Sequence, residues 1–278
     1  MSRQAIKISL PIKNYKAVEI SNEIMNYFHN NYNIECCTLG STGKKSDMDE
    51  SGDIDIAVKY DFNNDTVNMF INILKEKYNN PEIYISSGFK IISFGYNYID
   101  DNVNKTVQVD LMFTDDLSYS KFMYHSPNYK NNESKFKGLY RTNLLTYIAG
   151  RVPTGIKDIY DENNNLTDYW KYTLTYDKGL MLTHKSYKGK KKLLKNPYTV
   201  KEDTKLVSKN INEIIKFILG NKVSVNDTNS FESLTDYIFS DKFDNKENLK
   251  YIISDFINDE RHNNVDILKL ILNKYCNN

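Results

Sequence analysis

Three carboxylates stand in this chain where carboxylates are costly. Asp53 and Asp55 alternate with Ile54 and Ile56, and Asp110 lies inside the apolar run Val107-Gln108-Val109-Asp110-Leu111-Met112-Phe113. Side chains alternate between the faces of a strand, so Asp53 and Asp55 project from one face and the two isoleucines from the other. Carboxylates side by side repel each other and resist removal from water. A divalent cation held between them resolves that conflict, because Mg²⁺ and Ca²⁺ take oxygen ligands. An acidic surface loop leading into an edge strand explains Asp47, Asp49 and Glu50. It explains the three strand aspartates poorly.

The stretch before them is short and specific. Cys36 to Leu39 reads as a buried strand ending in Gly40-Ser41, followed by a polar loop up to Asp53. Two phosphate- or metal-binding loops can be tested here and fail. A P-loop needs Gly where Thr38 stands, and Ser or Thr where Lys45 stands. An EF-hand loop starting at Asp47 needs a bidentate Glu where Val58 stands, and no amphipathic helix leads into it.

Gly40-Ser41, an eleven-residue gap, Asp53-Ile54-Asp55-Ile56 and then Asp110 on a later strand resemble the signature of the polymerase β-like nucleotidyltransferase superfamily. The resemblance spans roughly residues 14 to 115. It implies attack of an acceptor hydroxyl on the α-phosphate of an NTP, with ATP the expected donor, and release of pyrophosphate. It implies two Mg²⁺ ions, with Mn²⁺ an alternative, held by Asp53, Asp55 and Asp110; Asp110 would also accept the hydroxyl proton. Gly40 would let the backbone approach phosphate, and Ser41 would donate to the terminal phosphates. Such enzymes also carry a basic side chain on a later helix. Lys137 and Arg141, an i, i+4 pair, are the candidates, against the alternative of a solvated helix face. Lys44 and Lys45 are loop lysines that could reach phosphate or simply face solvent. The Gly-Gly-x-x-Arg-Asp pattern of bacterial CCA-adding enzymes is absent.

The elements that must position these residues follow from periodicity. Ala17, Ile20, Ile24, Tyr27 and Phe28 form a helical stripe over 14 to 31, with Asn14 as a cap. Val67, Phe70, Ile71 and Leu74 mark a second helix. Strands are expected at 53–60, 83–86 and 89–98, with turns at Ser87-Gly88 and at 100–102 leading into the Asp110 strand. This is an α+β arrangement, a mixed sheet with flanking helices, assigned to residues 1–115 as the catalytic core. Residues 116–278 are expected to be mainly helical and to bind acceptor and nucleotide. They include a helix over 134–151, a hairpin over 166–187 turning at Asp177-Lys178-Gly179, and three or four helices from Val200 onward. Trp170 and the neighbouring tyrosines read as hairpin packing, and His125 as structural or exposed.

Composition narrows the partners. The net charge of +1 gives no overall field for nucleic acid, so any such contact needs a local patch. The run Lys185 to Lys195 is the densest basic stretch and could hold an RNA backbone or be a solvated loop. The acceptor is therefore an RNA end, or else a small-molecule, nucleotide or protein hydroxyl. A non-catalytic nucleotide-binding descendant is a third reading, opposed by the complete set of carboxylates. Cys36, Cys37 and Cys276 make no disulfide framework and no C-x-x-C pair. That usage fits a reducing, cytoplasmic compartment. No apolar run approaches the ~20 residues needed to span a bilayer. Richness in Asn, Lys, Ile and Tyr is what AT-rich genomes encode, including bacterial, viral and phage ones. Oligomeric state leaves no trace in the sequence.

Overall fold

The structure is a computed structural model of the 278-residue chain, and its described residues are 5–124, 136, 138–187, 199–259 and 265–276. The chain forms two compact units, Met1–Gly138 and Leu139–Asn278. The division thus falls later than residue 115, because the helix Leu117–Tyr124 belongs with the first unit.

In the first unit the elements run β1 (Ile12–Lys13), α1 (Asn14–Tyr32), β2 (Cys36–Thr38), β3 (Glu50–Ser51), β4 (Asp53–Lys59), α2 (Asn64–Lys77), β5 (Ile83–Ser86), β6 (Ile91–Asp100), β7 (Val103–Thr114) and α3 (Leu117–Tyr124). A five-stranded sheet has the order β2-β4-β7-β6-β5. Among the described residues of this sheet only β4 and β7 pair in parallel, joined by the crossover through α2 and the β5–β6 hairpin. The other neighbours are antiparallel, so the sheet is mixed.

One face of this sheet is the core. Ile54, Ile56 and Val58 from β4 and Val107, Val109 and Leu111 from β7 are fully buried. They cluster with Ile20, Ile24 and Phe28 of α1 and Phe70 and Leu74 of α2. The period-two alternation then leaves Asp53, Asp55, Gln108 and Asp110 on the opposite face. α2 is capped by Asn63, whose side chain accepts from the Thr66 amide at 2.9 Å. α1 ends where Asn33 takes a left-handed conformation, φ 53°.

Two expectations change here. Asn14 does not cap α1; Lys13 occupies the cap position, with no side-chain capping bond. β2 is a half-buried edge strand rather than a buried one, because only β4 pairs with it.

The second unit contains α4 (Gly138–Gly150), which begins at the last residue of the first, then β8 (Ile159–Tyr160), β9 (Leu166–Thr175), β10 (Gly179–Tyr187), β11 (Thr199–Ser208), α5 (Ile211–Leu219), α6 (Phe231–Phe239), α7 (Leu249–Ile257) and α8 (Val265–Cys276). The hairpin over 166–187 is present and turns at 176–178. Residues 199–208 are a strand, not the start of the helical region. β11 pairs with β10 and completes an antiparallel sheet of order β11-β10-β9-β8. The helices after it bury Ile214, Ile218, Leu234, Ile252, Phe256 and Ile271. Among the described residues no helix is long and apolar enough to cross a membrane.

Candidate functional site

Register brings the carboxylates together. In the parallel β4–β7 pair Asp55 lies directly opposite Asp110, and Asp53 opposite Gln108. Oxygens of Asp53, Asp55 and Asp110 all lie within 4.8 Å of one another. Asp53 and Asp55 are half-buried and Asp110 is 5% exposed. The surroundings of Asp55 and Asp110 resist ionisation. Burial, then the charges of Asp53 and Asp110, push the Asp55 carboxyl well above the usual range. Burial raises Asp110 to about 6 and Asp53 adds to the rise, while hydrogen bonds from Ser93 and Gln108 pull it back. Crowded carboxylates that offer oxygen donors alone suit a hard divalent cation.

The turn beside them is shaped for close approach. Gly40 has φ 61°, and a Cβ there would lie 2.1 Å from Asp55 Oδ2. Only glycine allows the backbone to pass so close to this carboxylate. The Leu39 amide donates to the Asp55 carbonyl at 2.8 Å, which locks the turn to β4. Ser41 stands in a turn closed by the Lys44 amide donating to its carbonyl at 3.1 Å, and its Oγ lies 3.2 Å from Ser51 Oγ.

Asn14, only 2% exposed, anchors the loop that follows. Its Nδ2 donates to the Lys45 carbonyl at 2.8 Å, and its Oδ1 accepts from the Gly43 amide at 3.0 Å. Nothing in the sequence marks that role, because the partners are distant in the chain and are backbone atoms. Lys45 itself donates to the Glu50 carbonyl. Asp49 accepts from the Ser46 amide at 3.2 Å, so this part of the acidic loop closes on itself.

The proposed basic helix pair takes another form. Lys137 lies outside the described residues. Arg141 is 3% exposed inside the second unit, and its Nε donates to the Thr228 carbonyl. Burial lowers its pKa to about 9. The solvated helix face is therefore corrected: Tyr140 to Leu145 of α4 are all buried, so this helix has no simple polar side there. His125 and residues 188–195 of the basic run also lie outside the described residues. Trp170 stacks on His184 across the β9–β10 pair, at 4.8 Å and 12°, as hairpin packing. Burial pushes the Cys36 thiol up to about 12 and raises Cys37, leaving both poor metal ligands at neutral pH.

No protein-family model matches the chain, and no curated protein matches its sequence. Among solved structures it aligns with polymerase beta from Leishmania infantum in a ternary gap complex, at 14% identity and TM-score 0.39, over 66% of this chain and 53% of that one. The same polymerase in a ternary P/T complex aligns at 13% identity and TM-score 0.39, over 66% and 60%. An antigenic nucleotidyltransferase-like protein from Paracoccidioides brasiliensis aligns at 13% identity and TM-score 0.32, over 52% of this chain and 72% of that one. The chain thus spans about half the length of the first of these structures.

Proposed function

We propose that the protein is a metal-dependent nucleotidyltransferase that moves NMP from an NTP, with ATP the expected donor, to an acceptor hydroxyl. The observation that carries this reading is the convergence of Asp53, Asp55 and Asp110 within 4.8 Å, next to the Gly40 turn. The three aspartates would hold the metal, Mg²⁺ in the first instance. When bound, a pair of such ions supplies charge neutralisation at the triphosphate and a lowered pKa at the attacking hydroxyl. Asp110 accepts the proton of that hydroxyl as its oxygen bonds to the α-phosphorus; the bond to the bridging oxygen breaks and pyrophosphate leaves. The Gly40 backbone lies close to the phosphates, and Ser41 Oγ donates to them. Arg141 is left out of this scheme, because its guanidinium serves the interior of the second unit.

The acceptor is proposed to be an RNA end, supported by the five lysines of the 188–195 stretch. The net charge of +1 favours a second acceptor class, a small-molecule, nucleotide or protein hydroxyl. Incubation with each α-³²P-labelled NTP, Mg²⁺ and total RNA tests both, beside Asp53→Ala and Asp110→Ala. Label in the RNA fraction, lost in both variants, is the expected result. Equal loss from a low-mass or protein fraction moves the acceptor to the second class. No incorporation, together with no Mg²⁺-dependent nucleotide binding, refutes the enzyme reading.

A further inference from the structure

We infer that Gln108 is the positioning residue of the carboxylate cluster, and that it couples the N-terminal segment to the orientation of Asp110. This inference rests on the metal-binding reading of the three aspartates. Gln108 lies two residues before Asp110 on β7, so period two places both on the same face. It is 2% exposed. Its Nε2 donates to both oxygens of Asp110, at 3.0 and 3.2 Å. Its Oε1 accepts from the backbone amides of Ala5 and Ile6, at 2.8 and 3.0 Å. Each end of one planar amide is thus committed, and rotation of the side chain would break bonds at both.

The N-terminal segment that holds Oε1 is itself fixed. Ile6 is fully buried, and its Cγ2 lies 3.4 Å from where a Cβ on Gly95 would stand. The Leu10 amide donates to the Thr106 carbonyl at 2.8 Å. β6 supplies the other support for Asp110, because Ser93 pairs with it across the sheet and hydrogen-bonds to its carboxylate. A carboxylate repelled by two neighbours has strong reason to turn away from them. Two donors against Asp110 hold its plane in place before any cation arrives, which removes an ordering cost from metal binding. Partners that orient a metal ligand typically change affinity ~10–100-fold when removed.

Gln108→Met keeps the length of the side chain and removes both the donor and the acceptor. Mg²⁺ and Mn²⁺ binding would be measured by calorimetry on the full chain, with circular dichroism to verify the fold. The expected result is ~10-fold or greater weakening of metal affinity. The turnover assay should show the apparent metal constant rising in step, with kcat largely restored at saturating metal and the NTP KM little changed. A purely space-filling Gln108 predicts no such split. Metal affinity within twofold of the parent in folded Gln108→Met overturns the inference. If Gln108→Met does not fold, ¹⁵N–¹H spectra of the parent decide. The Gln108 side-chain amide should shift on Mg²⁺ addition, with the Ala5 and Ile6 amides following, and their immobility while metal binds overturns the coupling. A parent that binds neither cation overturns the metal-site reading itself, and this inference with it.

Discussion

The sheet of the first unit sets Asp55 beside Asp110 on parallel strands, whereas that of the second sets His184 within 3.1 Å of Asp168 on antiparallel strands. The second unit pairs unlike groups at several described positions. Arg151 grips Asp255 with two bonds of 2.7 and 2.8 Å, and Lys274 meets Asp236. Thr173 and Thr183 share a cross-strand hydrogen bond of 2.7 Å. The first unit instead gathers like charges on one sheet face, two of them half-buried and one buried. Pairing of unlike charges is what a scaffold needs; crowding of like charges is tolerated where a ligand relieves it. The contrast makes opposite forecasts for removing a carboxylate from the two units.

The largest effect belongs to the crowded site. Asp55→Asn and Asp110→Asn should each lower nucleotide incorporation by at least ~10³-fold. The same variants without metal should be more stable than the parent, by ~1–3 kcal/mol in urea unfolding, because a repelled charge has gone. Loss of stability in both variants would break the comparison.

Next in size is the pH dependence of the metal-free parent. Asp110 is raised from the usual 3.8 to about 6 in the fold. The fold therefore favours its protonated form. The stability this contributes is present below pH ~4 and is lost as pH rises through ~6, up to ~3 kcal/mol. Unfolding followed from pH 4 to 7 should show that decline. Mg²⁺ should reverse it above pH ~6 by stabilising the ionised cluster. A stability that rises across this window without metal would contradict the raised carboxyl.

The shared face of Asp53 and Asp55 was legible because period two is a local rule and isoleucines flank both residues. The placement of Gln108 beside Asp110 follows from the same rule. Their convergence across strands was implied only by the resemblance and not by periodicity, since the parallel β4–β7 register is set by a crossover through α2, β5 and β6. The mixed sheet and its flanking helices follow from apolar periodicity in long, clearly bounded segments. β11 escaped it: Lys201, Glu202, Asp203 and Lys205 give an edge strand too little apolar alternation to read. The burial of Arg141 was hidden for a different reason. Spacing marks neighbours on a helix, yet it does not say which helices are enclosed, and α4 buries six consecutive residues from Tyr140.

A smaller change sharpens the role of the turn. Gly40→Ala places a methyl 2.1 Å from Asp55 Oδ2 in a left-handed conformation. The conformational strain is ~1–2 kcal/mol, and Asp55 must shift to make room. Metal affinity should fall ~10-fold or more, more steeply than stability, in parallel calorimetric and urea titrations. Equal metal affinity in Gly40→Ala would detach the turn from the carboxylate site.

The smallest effect is expected in the second unit. Arg151 and Asp255 meet in a two-point bond, but their side chains are 38% and 33% exposed, so solvent screens the pair. Asp255→Asn should therefore destabilise by ~1 kcal/mol or less, and 1 M salt should remove most of the difference. The sign matters more than the size. In Asp255→Asn a neutral amide replaces a charge that had found its partner, whereas in Asp55→Asn it replaces one surrounded by its like. Urea unfolding of the two variants at pH 7 without metal should move in opposite directions. A common direction would mean that the crowding at Asp55 is already relieved within the protein, and the argument for a cation there would lose its electrostatic half.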